Sequence, residues 1–281
     1  MFKTRLLSGI LLVVIALATI IPGNDILLAL LLLVSLIGMS ELYKVRNLHV
    51  SLPGIVGYAA AAACYVLIRL QVKGSGESEV LAFFDRQGLG LLVIAILIIL
   101  MAVYVFSYPK YVAEEMMLVF FWGFFYVALM LSYVYQTRMI PEEGVYLVWL
   151  VFLSSWGCDT CAYCVGMLIG KHKMSPKLSP KKSVEGAVGG VVGAALLGAV
   201  YAAAVSHFGD ASASPVVYAV ICGAGGLISM VGDLAASAIK RNHEIKDYGK
   251  LIPGHGGILD RFDSVIFTAP IIYYLSVFFM I

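Results

Sequence analysis

Long apolar runs separated by short polar breaks fill this chain from end to end. A helix needs ~20 apolar residues to cross a bilayer, at ~1.5 Å of rise per residue. On that ruler nine candidate spans emerge, at about 5–21, 25–40, 53–70, 88–107, 115–135, 144–169, 184–207, 215–236 and 262–281. Gly and Pro inside these runs do not argue against helix, because lipid leaves the backbone no other way to satisfy its hydrogen bonds. The amino terminus, Met1-Phe-Lys-Thr-Arg5 before Leu6 to Ile21, has the look of a secretory leader with Ala16-Leu-Ala18 as its cleavage site. A second apolar run follows the tight turn at Pro22–Asp25, so an uncleaved membrane hairpin is the better reading. The pattern predicts an all-α polytopic integral membrane protein of about nine transmembrane helices.

Composition agrees. Apolar residues make up 61% of the 281 positions and charged ones only 13%, about half the share of a soluble domain. The formal charge of +2 says little as a total, but its distribution says a good deal. With the amino terminus in the cytoplasm, the inner segments hold Lys3, Arg5, Lys44, Arg46, Lys110, Lys171, Lys173, Lys177, Lys181, Lys182, Lys240, Arg241, Lys246, Lys250 and Arg261. Only Arg69, Lys73, Arg86 and Arg138 fall outside, a split of 15 to 4 that obeys the positive-inside rule. Eight or ten spans would break this alternation. The two richest polar loops, 170–183 and 237–263, therefore share the cytoplasmic face. The chain divides into an amino-terminal part, 1–110, of about four spans, and a carboxyl-terminal part, 111–281, that carries both loops.

Cys64, Cys158, Cys161, Cys164 and Cys222 all lie in apolar runs. The spacing of Cys158, Cys161 and Cys164 spreads the thiols over more than half a helical turn, which favours small packing residues over a zinc site. No cysteine lies in an outer loop, so disulfides are not expected. Glycine gathers late, with Gly186/Gly190 and Gly189/Gly193 at the spacing that lets helix backbones approach closely. Packing of spans seven and eight within one subunit is the favoured use; a homodimer seam is the alternative.

The stretch from Ser237 to Asp263 packs five basic residues, four acids, two His and four Gly into 27 positions between apolar runs. Lys and Arg supply charge for phosphates, Gly permits close backbone approach, and carboxylates suit a divalent metal. Two acids lie deeper. Asp159 is twelve residues before Lys171, ~18 Å along a helix, and Asp233 seven before Lys240, ~10 Å. An isolated acid at such depth costs ~2.5 kcal/mol or more, so each needs a polar cavity and a partner. Asp260 and Asp263 share one face at the start of the last span. Buried ion pairs are one explanation; acids converging on Mg²⁺ or Mn²⁺ beside two basic loops are the better one. The loop 170–183 has a plain topological reading as an inside signal. Yet Ser179-Pro-Lys-Lys-Ser183 directly precedes a helix amino end, where N–H groups and the helix dipole favour an anion. His255 lies in a Gly-rich turn beside the carboxylates and could bond a phosphate, whereas His172 and His243 read as solvated.

These residues resemble the phosphatidate cytidylyltransferases, the CDP-diacylglycerol synthases. The resemblance is carried by Ser237-x-Ile-Lys240-Arg241, Lys246-Asp247-x-Gly249, His255-Gly256-Gly257 and Asp260-Arg261-x-Asp263. Asp159-Thr160-x-Ala162-Tyr163 and Ser179-Pro-Lys-Lys-Ser-x-Glu185-Gly186 are similar to the family's other conserved region. Ser183 and Val184 depart from that pattern, where Thr and an aromatic are commoner, and Cys161 replaces another small residue. Close similarity covers roughly the last 130 residues. The resemblance implies that CTP and phosphatidic acid give CDP-diacylglycerol and pyrophosphate for phospholipid synthesis, with Mg²⁺, or Mn²⁺, and room for a second cation. It further implies a bacterial cytoplasmic (inner) membrane enzyme whose site faces the cytoplasm, with the bilayer and no nucleic acid as partner. Asp233 and Asp260 are the expected metal ligands, with Asp263 next. Lys240, Arg241, Lys246 and Arg261 are expected to hold phosphates, with Ser237 and Asp247 among the binding residues. Gly256 and Gly257 would admit the backbone to substrate. Ser179, Lys181, Lys182 and Ser183 would form a second clamp, and Asp159 would orient a base, a metal or a side chain. Rival readings are another membrane lipid nucleotidyltransferase or lipid kinase and, from a different class, a transporter. A transporter would spread polar groups across the midplane with pseudo-symmetric halves. Here they collect on one side of the carboxyl-terminal half.

Overall fold

The structure is a computed structural model that describes residues 2–74, 79–208, 214–254 and 256–280. Among these residues there are nine helices, one at each position that hydropathy marks. They are α1 (Phe2–Ile20), α2 (Asn24–Lys44), α3 (Leu52–Lys73), α4 (Glu79–Phe106), α5 (Ala113–Arg138), α6 (Gly144–Ile169), α7 (Val184–Phe208), α8 (Pro215–Asn242) and α9 (Leu259–Met280). Eight are long and apolar enough to cross a membrane; α1 contributes a shorter apolar stretch, Ser8–Ile20. Helix starts follow local chemistry. Ser51 Oγ accepts from Gly54 N at 3.3 Å and Ser214 Oγ from Val217 N at 3.5 Å, each with a proline in the first turn that needs no donor partner. At α5, Glu115 reaches back to accept from Val112 N at 3.1 Å.

Two helices are wound wider over part of their length. In α5 the stretch Leu118–Leu129 is π-helical, and in α6 so is Leu153–Gly157. The second lies one residue before Cys158 and two before Asp159. Such insertions turn the following side chains to a new face and recur at functional sites.

The polar loop 170–183 is not irregular. It folds as a small antiparallel ribbon, β1 (Lys173–Ser175) and β2 (Ser179–Ser183), with Lys173 opposite Ser183 and Ser175 opposite Ser179. The other polar stretch is shorter than hydropathy suggests. Helix α8 continues to Asn242 and α9 begins at Leu259, so Ser237, Lys240, Arg241, Asp260 and Asp263 are helical residues. Basic residues in the last turn of α8 complement its dipole, and Asp260 does so in the first turn of α9.

The backbone packs as two units. The first comprises Met1–Gln136 with Tyr248–Leu259, and the second Thr137–Asp247 with Asp260–Ile281. In the first, the fully buried Tyr43 of α2 donates to Val119 O of α5 at 3.2 Å, its ring seated against Gly57 and Gly123. Ser35 and Tyr65 share a buried hydrogen bond of 2.8 Å that ties α2 to α3.

In the second unit, α7 has two contrasting faces. Gly186, Gly190, Ala194, Gly198 and Ala202 form a buried stripe of small residues at four-residue spacing. Val184, Val188, Val192, Leu196 and Val200 form an exposed apolar stripe, as a lipid-facing helix surface would. The small stripe packs within the chain, but against more than α8. Gly189, Gly190 and Gly193 press on Val165, Ala162 and Cys161 of α6, while Gly198 meets Tyr218 and Cys222 of α8. Cys158 and Cys161 are thus packing residues, and all five cysteines are free thiols.

Candidate active site

The site is built in the second unit, where α8 lies against α6, α7 and α9 through glycines. Gly225 faces Ser154 and Ile272, Gly226 faces Ala194 and Cys158, and Gly232 faces Phe267 and the carbonyl of Asp263. A Cβ at Gly232 would stand 2.9 Å from Phe267, so glycine there permits the close approach of α9. That approach sets Asp233, the next residue, beside Asp263. On α8 itself, Asp233, Ser237 and Lys240 recur at i, i+4 and i+7, one face of the helix.

Two ion pairs occupy this face. Lys240 Nζ bonds Asp260 Oδ1 at 2.9 Å, with the side chains only 12% and 3% exposed. Lys182 Nζ from β2 pairs with Asp233 Oδ2, both half-buried. Asp263 is buried and accepts from Ser264 N at 2.8 Å. Its carboxylate interacts electrostatically with Asp233, Lys240 and Asp159. Asp159 in turn interacts with Lys182, Asp233 and Arg261. The structure therefore brings Asp159, Lys182, Asp233, Lys240, Asp260, Arg261 and Asp263 into one electrostatic cluster. Trp156 and Phe262 meet at a ring separation of 6.4 Å, an aromatic contact between α6 and α9.

The remaining sequence candidates are placed differently. Arg241, Lys246 and Asp247 are exposed, with Arg241 donating to Ile245 O at 3.3 Å. Ser179 is half-buried and Lys181 exposed on the ribbon. Ser183 is buried, and its Oγ accepts from Gly186 N at 3.1 Å, capping α7. Glu185 accepts from the N–H groups of Lys171 and His172 at 3.0 and 3.2 Å and touches His172 Nδ1. The start of α7 is thus capped and braced by the chain's own oxygens. His255 lies outside the described residues. Gly256 has φ +91°, a left-handed conformation suited to glycine.

Gly257 leaves the space of a side chain to another residue. In the first unit, the Glu41 carboxylate of α2 fills the space where a Gly257 side chain would go. The same carboxylate packs on Gly249 and accepts from Ile258 N at 3.1 Å and Leu259 N at 2.9 Å. Sequence reasoning misses Glu41 because it sits three residues before Lys44 and passes for the end of a span. The available signal is weak, an acid one residue past an apolar run, whereas Asp159 and Asp233 lie well inside theirs.

Comparison with known proteins gives this cluster its chemical context. The model of the cytidylyltransferase family matches residues 3–279. This chain belongs to the cytidylyltransferase family. It is 30% identical to the phosphatidate cytidylyltransferase of Bacillus subtilis, over 99% of this chain and 98% of that one. The similarity to the enzyme of that name from Staphylococcus saprophyticus is 31%, over 98% of this chain and 99% of that one. That from Staphylococcus aureus strain COL is 28% identical over a like extent. Membership extends the resemblance from the carboxyl-terminal motifs to the whole chain, including the amino-terminal helices.

Proposed function

We propose that the cluster on α6, α8, α9 and β2 transfers the cytidylyl group of CTP to phosphatidate, giving CDP-diacylglycerol and pyrophosphate. One observation carries this reading. Two lysine–carboxylate pairs, Lys182–Asp233 and Lys240–Asp260, lie within an apolar helical unit of a chain that matches the family along its length. Charges placed there are costly, and well-packed apolar residues would stabilise the fold at least as well. Their retention fits a site that must handle phosphates in a lipid setting.

In the reaction, an ionised phosphate oxygen of the lipid forms a bond to the α-phosphorus of CTP. The bond from that phosphorus to the bridging α–β oxygen breaks, and pyrophosphate leaves with the electron pair. The nucleophile is already an anion, so no protein base need take a proton. What the protein must supply is position and charge neutralisation. Lys182 and Lys240 neutralise the acids before substrate arrives and offer their charge to the phosphates afterwards. Arg261 adds a planar donor suited to phosphate oxygens.

A divalent cation fits the donor chemistry, since Asp233, Asp260 and Asp263 offer oxygen alone. Among the described residues no three His, Cys, Asp or Glu side chains gather as a ready metal cage. That suits Mg²⁺, which is held by one or two carboxylates together with substrate phosphates rather than by a full protein shell. Bound there, it would neutralise charge developing on the leaving pyrophosphate. Asp233 and Asp260 would hold it, with Asp263 alongside. The positive-inside pattern supports a site that opens to the cytoplasm, where CTP is found. A reporter fused after Lys173 checks the orientation: a cytoplasmic signal is expected, and an external one refutes it.

The direct assay incubates purified protein with phosphatidate and, in turn, CTP, ATP or GTP, following pyrophosphate. Release with CTP, dependent on phosphatidate, is expected. Release without lipid, or none with CTP, would contradict the reading.

A further inference from the structure

Glu41 is a carboxylate that nothing in the reaction above requires. It lies on α2, one residue past the apolar run 25–40, and is 4% exposed. A buried carboxyl group needs hydrogen-bond partners. It finds them in backbone: the N–H of Ile258 at 3.1 Å to Oε1 and of Leu259 at 2.9 Å to Oε2. Leu259 is the first residue of α9, so the carboxylate caps that helix, where free N–H groups and dipole favour negative charge. Gly249 and Gly257 close over it, each leaving the space of a side chain to one of its oxygens. One buried acid thereby joins both ends of the 249–259 segment to α2.

We propose that Glu41 is a positioning residue for the transfer reaction. The proposal rests on the cytidylyl-transfer reading. Leu259 is bonded to Asp260, and Asp263 follows one turn later. Fixing the two peptide N–H groups before Asp260 fixes the rotation of the first turn of α9, and with it the directions of both acids. A carboxylate can accept from both N–H groups at once. An amide presents one acceptor oxygen and an NH₂ that opposes the second donor.

Hydrogen exchange and kinetics on Glu41→Gln in the full-length protein test this. Exchange at Ile258 and Leu259 should quicken by about fivefold to tenfold, as loss of a hydrogen bond implies. Exchange in the middle of α8 should not change. The kcat should fall on the order of tenfold to a hundredfold, the scale of a small misplacement of catalytic groups. KM for CTP should stay within about twofold, since ground-state contacts are not removed. Gly249→Ala pushes a methyl into the same carboxylate and should reproduce the pattern, less than additively with Glu41→Gln. Should Glu41→Gln not fold, Gly249→Ala carries the same measurements. Unchanged exchange at 258–259, or kcat within about twofold of wild type, overturns the proposal. A fall in kcat that only tracks global unfolding does so too. A wild-type protein inactive with CTP and phosphatidate refutes the underlying reaction instead, and is recognised because wild type and variants then behave alike.

Discussion

Lysine and arginine pair with carboxylates in both units, and these pairs differ in kind. In the first unit, Asp25 is held by Arg69 at 2.8 Å and Lys73 at 2.9 Å, and Arg46 meets Glu114 at 3.1 Å. All these side chains are more than a third exposed. In the second, Lys240 and Asp260 are paired at a similar distance of 2.9 Å but are nearly enclosed, and Lys182–Asp233 is half-buried. Exposed pairs contribute ~0–1 kcal/mol. Enclosed ones gain more from each other but lose hydration, so they add little net stability while being expensive to break. The first set is surface trim at helix ends. The second is a set of charges kept in an apolar setting, as a site that handles charged substrates would need.

Substitutions can sharpen that contrast. The largest effect is expected from Asp260→Asn, which should cut cytidylyl transfer by about 10²–10³-fold or more while the protein stays folded in membranes. Retained activity would remove Asp260 from the site. Next, Lys240→Met takes the ammonium away from an enclosed carboxylate and should destabilise by ~3–5 kcal/mol, read as a lowered unfolding midpoint. Adding Asp260→Asn to it should recover most of that stability and none of the activity. A double variant as unstable as Lys240→Met would show that the pair is structural. Chelation comes third: EDTA should silence transfer and Mg²⁺ restore it, and turnover in excess chelator would remove the cation from the account. The smallest effect is expected at the exposed pairs, where Asp25→Asn should leave both the unfolding midpoint and kcat essentially unchanged.

Much of this was legible in the sequence because membrane physics is strict. Hydropathy alone places the nine helices seen among the described residues, and the cost of intramembrane charge singles out Asp159, Asp233, Asp260 and Asp263. Pairing was not legible. Which lysine meets which acid depends on how α8 and α9 are rotated, and the π-helical stretch before Asp159 changes the face of α6 in a way no apolar periodicity reveals. The ribbon of 173–183 escaped notice because Lys, Ser and Pro are poor strand formers, so its pairing is a tertiary outcome. Glycine carries a second meaning at Gly257, where the space of a side chain is taken by Glu41. An acid near a span end should therefore be weighed with the Gly-rich segments that could close on it.

The central claim is that the enclosed acids and lysines move a nucleotidyl group onto a lipid phosphate. Labelled CTP tests this most directly, with the purified protein and phosphatidate in mixed micelles. Label at the α-phosphorus should enter the lipid product, label at the γ-phosphorus should leave as pyrophosphate, and Asp260→Asn should abolish both. Label from the γ-position in the lipid would mean phosphoryl transfer by a kinase, and the account would be wrong.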